Sequence, residues 1–392
     1  MTHSNPKEIL LSVLTIAGTF LSLLSVLYLL TDYYAVNVLY WDQWDIAGPI
    51  FRAEGWLAEF RYQHGPHRLG LGGLFTHAVY ALTAWNVKSE SFATLGVVAL
   101  ATVLALVLYF RLTRVLSPYA AIIPASMMSL TTFEIFTSAP NPSHGAVPLL
   151  LGILLCFVTV AADSWIRSIL LVGITTAVVH TGFGILYGPL MVALTLAGLI
   201  LGPPFLNLHS SKWRWLISRR VLTFLALCLG VGSFFIGYIK NSASGCAPEI
   251  VPTTEEYLRF AALLITKSFG NTQNEAPGVF YAALPILVIW LSCFGVAVRS
   301  AWIEVRTGKL GIGSVSAVLI AYSIVFVAMS AIGRTCAGVH YGGSSRYQIH
   351  LAPAYLGISL ILGTAPRFLS VRLLQLVLFG GLLWGSIRAL QT

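Results

Sequence analysis

The chain has 392 residues, of which 57% are hydrophobic and 9% are charged, and its mean hydropathy is +0.82. A typical soluble domain is about 45–50% apolar and about 25% charged, so this composition excludes a water-soluble fold and an intrinsically disordered chain. The 23 basic and 14 acidic residues give a net charge of +9, which indicates basic loops of a membrane protein rather than a nucleic-acid-binding surface.

The apolar segments predict an all-α fold, a polytopic transmembrane helical bundle that forms one domain over residues 1–392. The first segment, Ile9–Leu30, is long enough to span a bilayer, and it lacks a small-residue cleavage site, so we expect it to be retained. Ten further spans are predicted at about 92–110, 119–138, 145–162, 166–181, 183–201, 221–239, 278–298, 312–332, 350–364 and 370–387.

The glycine-containing segment Leu69–Trp85 fits either a span or a helix lying on the membrane. If it does not span and the N-terminus is cytoplasmic, the cytoplasmic side carries 13 basic and 3 acidic residues, and the outer side carries 10 and 11. This asymmetry satisfies the positive-inside rule, whereas a spanning segment would reverse it. We therefore expect about eleven spans in the plasma (inner) membrane, with the C-terminus on the periplasmic or extracellular side.

This orientation predicts four outer loops, at 31–91, about 138–145, 240–277 and 333–349. The loop 31–91 is the largest, and we expect it to carry interfacial helices. Cys246 and Cys336 fall in outer loops, and a disulfide between them is a hypothesis that the sequence leaves open.

The first outer loop opens with Tyr40-Trp41-Asp42-Gln43-Trp44-Asp45. Two carboxylates three residues apart share a face if a helix begins here, and partial desolvation would raise the pKa of such a carboxylate, which suits a general base. Alternatively, Asp42 or Asp45 caps an interfacial helix near Pro49, with the aromatic residues as membrane-interface anchors.

The same loop continues with Arg61-Tyr62-Gln63-His64-Gly65-Pro66-His67-Arg68. His64 and His67 form a weak metal-binding pattern without a third ligand, whereas Arg68 suits bidentate contact with a phosphate. The alternative is a polar turn that contacts lipid headgroups.

Two arginines flank the late outer loop, Arg334 at the end of one span and Arg346, followed by Tyr347, before the next. Glycine and serine residues lie between them. This pattern favours an anion site at the depth of a lipid phosphate, although arginines that extend towards headgroups are the alternative.

The turn at 138–145 contains Asn141 and His144, which either line a cavity or form an ordinary turn. Glu134 and His180 lie near the outer ends of spans, where ionisable side chains usually face a cavity. The sequence has no GxxxxGK[ST] phosphate loop, no GxSxG nucleophile motif and no HExxH zinc motif, so we expect any chemistry at the outer face and without ATP.

The Asp-x-x-Asp of Asp42 and Asp45 after the first span, the turn Gln63-His64-Gly65-Pro66-His67-Arg68 and the late Ser345-Arg346-Tyr347 resemble the GT-C superfamily of membrane glycosyltransferases. That superfamily includes protein O-mannosyltransferases, lipid A aminoarabinose transferases and oligosaccharyltransferases. The resemblance is closest to uncharacterised bacterial multi-span members, and it covers the architecture of about 1–115 and, beyond that, the span count and one short motif.

The resemblance implies an inverting transfer of sugar from a polyprenyl-phosphate-linked donor to a hydroxyl of a glycan, lipid or protein acceptor at the outer face. It implies Asp42 or Asp45 as the base or as a metal ligand, and Arg334 or Arg346 as the group that holds the lipid phosphate. His64, His67 and Arg68 are expected on the sugar or acceptor side. A requirement for a divalent metal stays open, and we assign no metal ligands.

Three other functions stay open. A transporter or flippase of lipid-linked or small solutes would show broken spans and inverted repeats. A glycan polymerase would carry its largest outer loop late in the chain. A non-catalytic membrane subunit that binds a lipid carrier would depend on Arg334 or Arg346 and tolerate loss of either aspartate.

Overall fold

The computed structural model describes residues 6–137, 142–202, 211–240, 251–271, 278–365 and 368–391, without the side chains of 211–218. Helices make up most of this described chain, as the sequence predicts. The α-helices are α1 Pro6–Tyr34, α2 Gln43–Ile46, α3 Gly48–Phe51, α4 Trp56–Arg61, α5 Gly70–Leu82, α6 Val87–Thr113, α7 Ile122–Met127, α8 Glu134–Thr137, α9 Ala146–Thr159, α10 Trp165–Val179, α11 Tyr187–Leu201, α12 Ser211–Gly232, α13 Thr254–Lys267, α14 Gly278–Thr307, α15 Ile312–Arg334, α16 Ala352–Thr364 and α17 Leu369–Ala389. Two strands, β1 Gln63–His64 and β2 His67–Arg68, pair antiparallel.

Six described helical segments are long and apolar enough to cross a membrane: Pro6–Tyr34, Val87–Thr113, Gly182–Leu201, Gly278–Thr307, Ile312–Ala337 and Leu369–Ala389. In α1 only 17% of the most apolar window is buried inside the protein, as expected for a helix that faces lipid. The helices α5, α9 and α10 are apolar but shorter. The chain is therefore a multi-pass membrane protein by the length and composition of its helices, whereas the number of eleven spans and the orientation stay predictions.

Helix α15 lies at the centre of the described helices. Its side chains contribute to all three large clusters of buried hydrophobic residues. The first cluster also contains residues of α1, α6 and α9, the second residues of α13, α14, α16 and α17, and the third residues of α9 to α12. The apolar window of α15 is 61% buried, the highest share among the six candidate spans. Because α15 ends at Arg334, its burial fixes the position of that arginine.

The segment predicted as one span over 119–138 is instead broken into short helical pieces. These are the 3₁₀ helices Pro118–Ala121 and Leu130–Thr132 with α7 and α8. At the break, Ser129 Oγ accepts a hydrogen bond from the N–H of Thr131, and Ser386 Oγ of α17 accepts one from the N–H of Leu130, each at 3.2 Å. Serine hydroxyl groups thus accept the hydrogen bonds that a continuous helix would supply. Such replacement is needed because an unpaired backbone N–H group is costly within a membrane.

The predicted outer segment 240–277 contains a helix, α13, which the sequence analysis did not predict and whose C-terminal half is buried. The helix begins with a capping box, in which Glu256 Oε2 accepts from the Thr253 N–H at 2.7 Å and Thr253 Oγ1 accepts from the Glu256 N–H at 3.3 Å. Phe260 and Leu264 are fully buried. The spacing Thr253-x-x-Glu256 is a sequence signature of a helix start that the loop prediction overlooked.

The cysteines divide into bonded and free ones. Cys336 in the late outer loop is disulfide-bonded, whereas Cys156, Cys228 and Cys293 are free. Cys246, the predicted partner of Cys336, lies outside the described residues.

The loop 31–91, which is predicted to face the outside, folds into α2 to α5 and the β1–β2 hairpin, next to the first residues of α6. Helix α5 packs closely because it is rich in glycine. A Cβ at Gly72 would lie 2.3 Å from Cα of Ser143, and Gly70 adopts a φ of +54° against the backbone of His180. The close packing holds this loop against the segments that precede α9 and follow α10.

Candidate functional site

Asp42 and Asp45 meet at one imidazole. Asp42 occupies the N-cap position of α2 but makes no side-chain capping hydrogen bond, which disfavours the capping interpretation. His64 Nδ1 lies 2.5 Å from Asp45 Oδ2, and His64 Nε2 lies 3.8 Å from Asp42 Oδ2. Tyr62 Oη donates to the other Asp45 oxygen at 2.6 Å, so both oxygens of Asp45 have a partner.

The β1–β2 hairpin explains why His64 and His67 lie together. Gly65 adopts a φ of +56°, and with Pro66 it forms a two-residue turn that pairs His64 directly opposite His67. The two histidines three residues apart therefore form a cross-strand pair rather than a helical metal-binding pair.

Arg68 fixes the hairpin to the end of α12 and does not point to the site. Its guanidinium donates to the backbone oxygens of Phe234 at 2.8 Å, of Ile236 at 2.6 Å and of Arg61 at 2.5 Å. The residue is only 3% exposed. The expectation that Arg68 contacts phosphate is thus not supported by this geometry, because its donors are engaged by carbonyl groups.

Glu90 at the start of α6 supports the turn that carries Asp42 and Asp45, through a hydrogen bond from Gln43. The sequence analysis did not predict this role. Glu90 is 1% exposed and accepts hydrogen bonds from Gln43 Nε2, Thr76 Oγ1 and Tyr80 Oη at 2.9, 2.8 and 2.6 Å. Gln43 Oε1 in turn accepts from the N–H of Tyr40 at 2.9 Å. An ionisable residue at the start of an apolar span is the signal that would have found it.

Arg346 of the late loop reaches the first loop. Its Nη1 lies 3.9 Å from Asp42 Oδ2, and its Nε lies 3.9 Å from Glu134 Oε1. The guanidinium also lies over the Trp41 ring, 5.2 Å from the centroid. Both distances to carboxylates exceed a hydrogen bond, and Arg346 Nε has no hydrogen-bond partner among the described residues, so its donors remain available to an anion.

Glu134 fixes the backbone that carries Arg346. Its Oε2 accepts hydrogen bonds from Ser344 Oγ at 3.1 Å, Ser345 Oγ at 2.9 Å and the N–H of Arg346 at 3.2 Å. The broken segment before α8 thus brings a carboxylate to the late loop. Tyr347 is buried, and the Arg346 guanidinium also lies 5.5 Å from its ring centroid.

The charges of the site shift its titrations. The pKa of the Asp42 carboxyl is lowered, first by its polar contact with His64, against the effect of burial, with further contributions from the charges of His64, Arg346 and Arg334. The expected rise in the pKa of this carboxyl is therefore wrong, because the partners outweigh desolvation. Burial alone would lower the pKa of His64, but its bonds to Asp42 and Asp45 raise it.

Two neutral histidines lie beside this charged group. The rings of His67 and His144 are 5.3 Å apart, and Phe183 lies 4.0 Å from His67. Burial, helped by the charge of Arg334, lowers the pKa of His67 to about 3, and burial also lowers the pKa of His144 far below its usual value. His67 Nδ1 has no hydrogen-bond partner among the described residues.

The remaining sequence predictions divide as follows. Arg334 acts on Asp42 and His67 through its charge, so both predicted arginines belong to the same cluster. Asn141 lies outside the described residues. Within the described parts of the chain, no group of three or more His, Cys, Asp or Glu side chains is arranged to hold a metal ion, and we derive no step through a metal.

Comparison with known proteins leaves the geometry as the main source of functional information. No protein-family model and no curated protein matches this sequence.

Proposed function

We propose that the chain is an inverting membrane glycosyltransferase that moves a sugar from a polyprenyl-phosphate donor to an acceptor hydroxyl at the outer face of the membrane. One observation supports this most: Asp42 of the loop 31–91 lies beside Arg346 of the loop 333–349, and His64 contacts both Asp42 and Asp45. A carboxylate can take the proton of an acceptor hydroxyl, and a neighbouring cation with unused hydrogen-bond donors can stabilise the negative charge on a leaving phosphate oxygen.

Asp42 acts as the general base. It remains a carboxylate because His64 and the arginines lower its pKa, and it is partly exposed to an incoming acceptor, with 36% of its side chain accessible. The acceptor hydroxyl gives its proton to Asp42, and its oxygen forms a bond to the anomeric carbon. The bond from that carbon to the phosphate oxygen breaks, and its electron pair leaves with the polyprenyl phosphate, so the anomeric configuration inverts.

Arg346 and Arg334 stabilise the leaving phosphate. Negative charge develops on the phosphate oxygen as the glycosidic bond breaks, and pre-positioned cations stabilise that charge without reorganisation. Glu134 holds the backbone of Arg346 in place, so it is a positioning residue.

Asp45, Tyr62 and His64 position the base. Asp45 already accepts from Tyr62 and contacts His64, which makes it a poorer base than Asp42 and orients the imidazole towards Asp42. His67, His144 and Tyr347 form the adjoining wall and contact the sugar or the acceptor.

One observation favours the transporter alternative, namely the broken helical segment between Pro118 and Thr137. Discontinuous helices often form the substrate sites of transporters. In this chain, however, the hydroxyl groups of Ser129 and Ser386 satisfy the break, and its far end supplies Glu134 to the late loop.

The test is a transfer assay with purified protein in lipid, a panel of polyprenyl-phosphate sugars and acceptors, and release of free polyprenyl phosphate as the signal. We expect Asp42→Asn and Arg346→Ala to lose at least about 100-fold in kcat/KM, as is typical for a general base or an anion-stabilising donor. Asp45→Asn is expected to lose less.

The matched controls are Asp32→Asn, which removes an exposed carboxylate that pairs with Lys88, and Arg111→Ala, which removes an exposed arginine in the last turn of α6. Both should transfer at the wild-type rate. Transfer by Asp42→Asn at the wild-type rate would contradict the assignment of the base. Donor binding without release in the wild-type protein would favour a carrier-binding subunit, and donor movement across the membrane without release would favour a flippase.

A further inference from the structure

A second charged cavity, of about 250 Å³, lies at the far end of the helices from Asp42. Helix α9 begins beside His144 and ends at Thr159, which lines the cavity. At about 1.5 Å per residue, its 14 residues separate the two places by about 20 Å. Helix α15 runs the opposite way, from the cavity end to Arg334, so the cavity and the Asp42 cluster face opposite ends of the bundle.

The cavity carries an excess of positive charge. Its lining includes Arg167, Arg220 and Lys309 against a single carboxylate, Asp163. Behind the lining, Arg219 forms an ion pair with the same carboxylate at 2.6 Å and is 3% exposed. One carboxylate therefore faces three guanidinium groups in a partly desolvated place, where like charges repel strongly.

The cations differ in how firmly the protein holds them. Arg167 donates to the backbone oxygens of Val158 and Thr159 and to Asp163, at 3.0–3.2 Å. Among the residues that the structure describes, Arg220 makes two long contacts, 3.3 Å to Asp163 and 3.5 Å to the backbone oxygen of Gly198. Its guanidinium can therefore turn to a ligand at little cost.

Lys309 is the second available cation. It lies on the exposed connection between α14 and α15. The neighbouring carboxylate, Glu304, is directed to the start of α15, where it accepts the N–H groups of Gly311, Gly313 and Ser314 at 2.7–2.8 Å.

We propose that this cavity binds a phosphate group between Arg220 and Lys309, supplied either by the headgroup of an anionic lipid or by a soluble phosphate. Arginine and lysine together suit the charge and the several acceptor oxygens of a phosphate. The apolar part of the lining, which includes Leu171, Met191 and Leu194, offers acyl chains a surface. The site does not depend on the function proposed for the Asp42 cluster.

The test measures binding by titration calorimetry to the purified full chain in a neutral detergent. The probes are dioctanoyl phosphatidic acid and inorganic phosphate, with dioctanoylglycerol as the probe without phosphate. All proteins carry Arg346→Ala, so that the outer cluster contributes as little as possible. We expect Arg220→Gln to weaken phosphatidic acid binding about tenfold, as for the loss of one charge-assisted hydrogen bond.

Lys309→Gln should weaken binding in the same direction and, because its side chain is exposed, should not disturb folding. The matched control is Arg306→Gln, which removes an exposed cation of the last turn of α14 whose guanidinium lies over Trp302. Binding of phosphatidic acid alone identifies a lipid headgroup, and binding of inorganic phosphate as well identifies a site for the phosphate group itself. The proposal fails if neither phosphate probe binds, if dioctanoylglycerol binds equally well, or if Arg306→Gln weakens binding as much as Arg220→Gln.

Discussion

His64 is the central charged contact of the cluster formed by Asp42, Asp45, His64 and Arg346, because its two ring nitrogens face two different carboxylates. Asp45 at 2.5 Å orients the ring, and Asp42 at 3.8 Å is the carboxylate on which the ring acts. The polar contact with His64 is the largest cause of the lowered pKa of Asp42. Burial raises the pKa of Asp42, and His64 opposes this effect. A neutral side chain at position 64 would therefore let the pKa of Asp42 rise.

His64→Ala is therefore expected to move the acidic limb of the pH–rate profile to higher pH. The proposed base, Asp42, must be deprotonated, and its pKa rises when the neighbouring imidazole is removed, so activity is lost sooner as the pH falls. The measurement is kcat/KM for sugar transfer across the acidic range. His340→Ala, an exposed histidine of the late loop, serves as the control and should leave the limb in place; an unmoved limb in His64→Ala would contradict the role of His64.

Glu90→Ala is expected to destabilise the protein by about 3 kcal/mol or more, since each buried donor left without a partner costs about 1–3 kcal/mol. The three donors are Gln43, Thr76 and Tyr80. Glu90→Gln keeps one acceptor oxygen and should lose less. Thermal unfolding in detergent measures both, and equal stability of Glu90→Ala and the wild type would show that the network contributes little.

At the residue scale, the sequence predicts the chemical types of the cluster but not its contacts. Asp42, Asp45 and Arg346 are recognisable because charged side chains are rare in this chain. The role of Arg68 could not be predicted, since two of its three carbonyl partners lie more than 160 residues away. The direction of the pKa shift of Asp42 depends on the same kind of long-range contact.

At the scale of helices, hydropathy predicts the long elements well and the interrupted ones poorly. Helix α6 is uniformly apolar in its middle, so its existence follows from composition. The segment around Ser129 is also apolar on average, though less so than α6, but its small hydroxyl residues compete for backbone hydrogen bonds, and a serine from α17 completes the break. Such a partner is invisible in local sequence.

Gly72→Ala is expected to disturb the outer cluster without touching its charges. A Cβ at this position would lie 2.3 Å from Cα of Ser143, so the segment that carries His144 must move. We expect a lower melting temperature and weaker sugar transfer. Gly96→Ala in α6 meets nothing within 4 Å and should be neutral or slightly stabilising, because alanine favours helix more than glycine. Equal behaviour of the two variants would contradict the close approach of α5.

For the whole molecule, the helices place the Asp42 cluster and the phosphate cavity at opposite ends, which predicts opposite sides of the membrane. Asp32→Cys and Lys309→Cys, each in a chain whose free cysteines are replaced by alanine, should react differently with a membrane-impermeant maleimide. We expect Asp32→Cys to react in intact cells and Lys309→Cys only after permeabilisation. Labelling of both from the same side would show that the predicted orientation is wrong.

The distance in sequence between Asp42 and Arg346 has a consequence for biosynthesis. The two residues are 304 positions apart (346 − 42), and they meet only after α15 and the loop behind it have been made. At about 5–20 residues per second, a ribosome needs roughly 15–60 s to cover that interval. During this time Asp42 is already made, but Arg346 does not yet exist. The Asp42 cluster is therefore assembled only when the chain is nearly complete, and under the proposed transferase function a chain that stalls before α15 would be inactive.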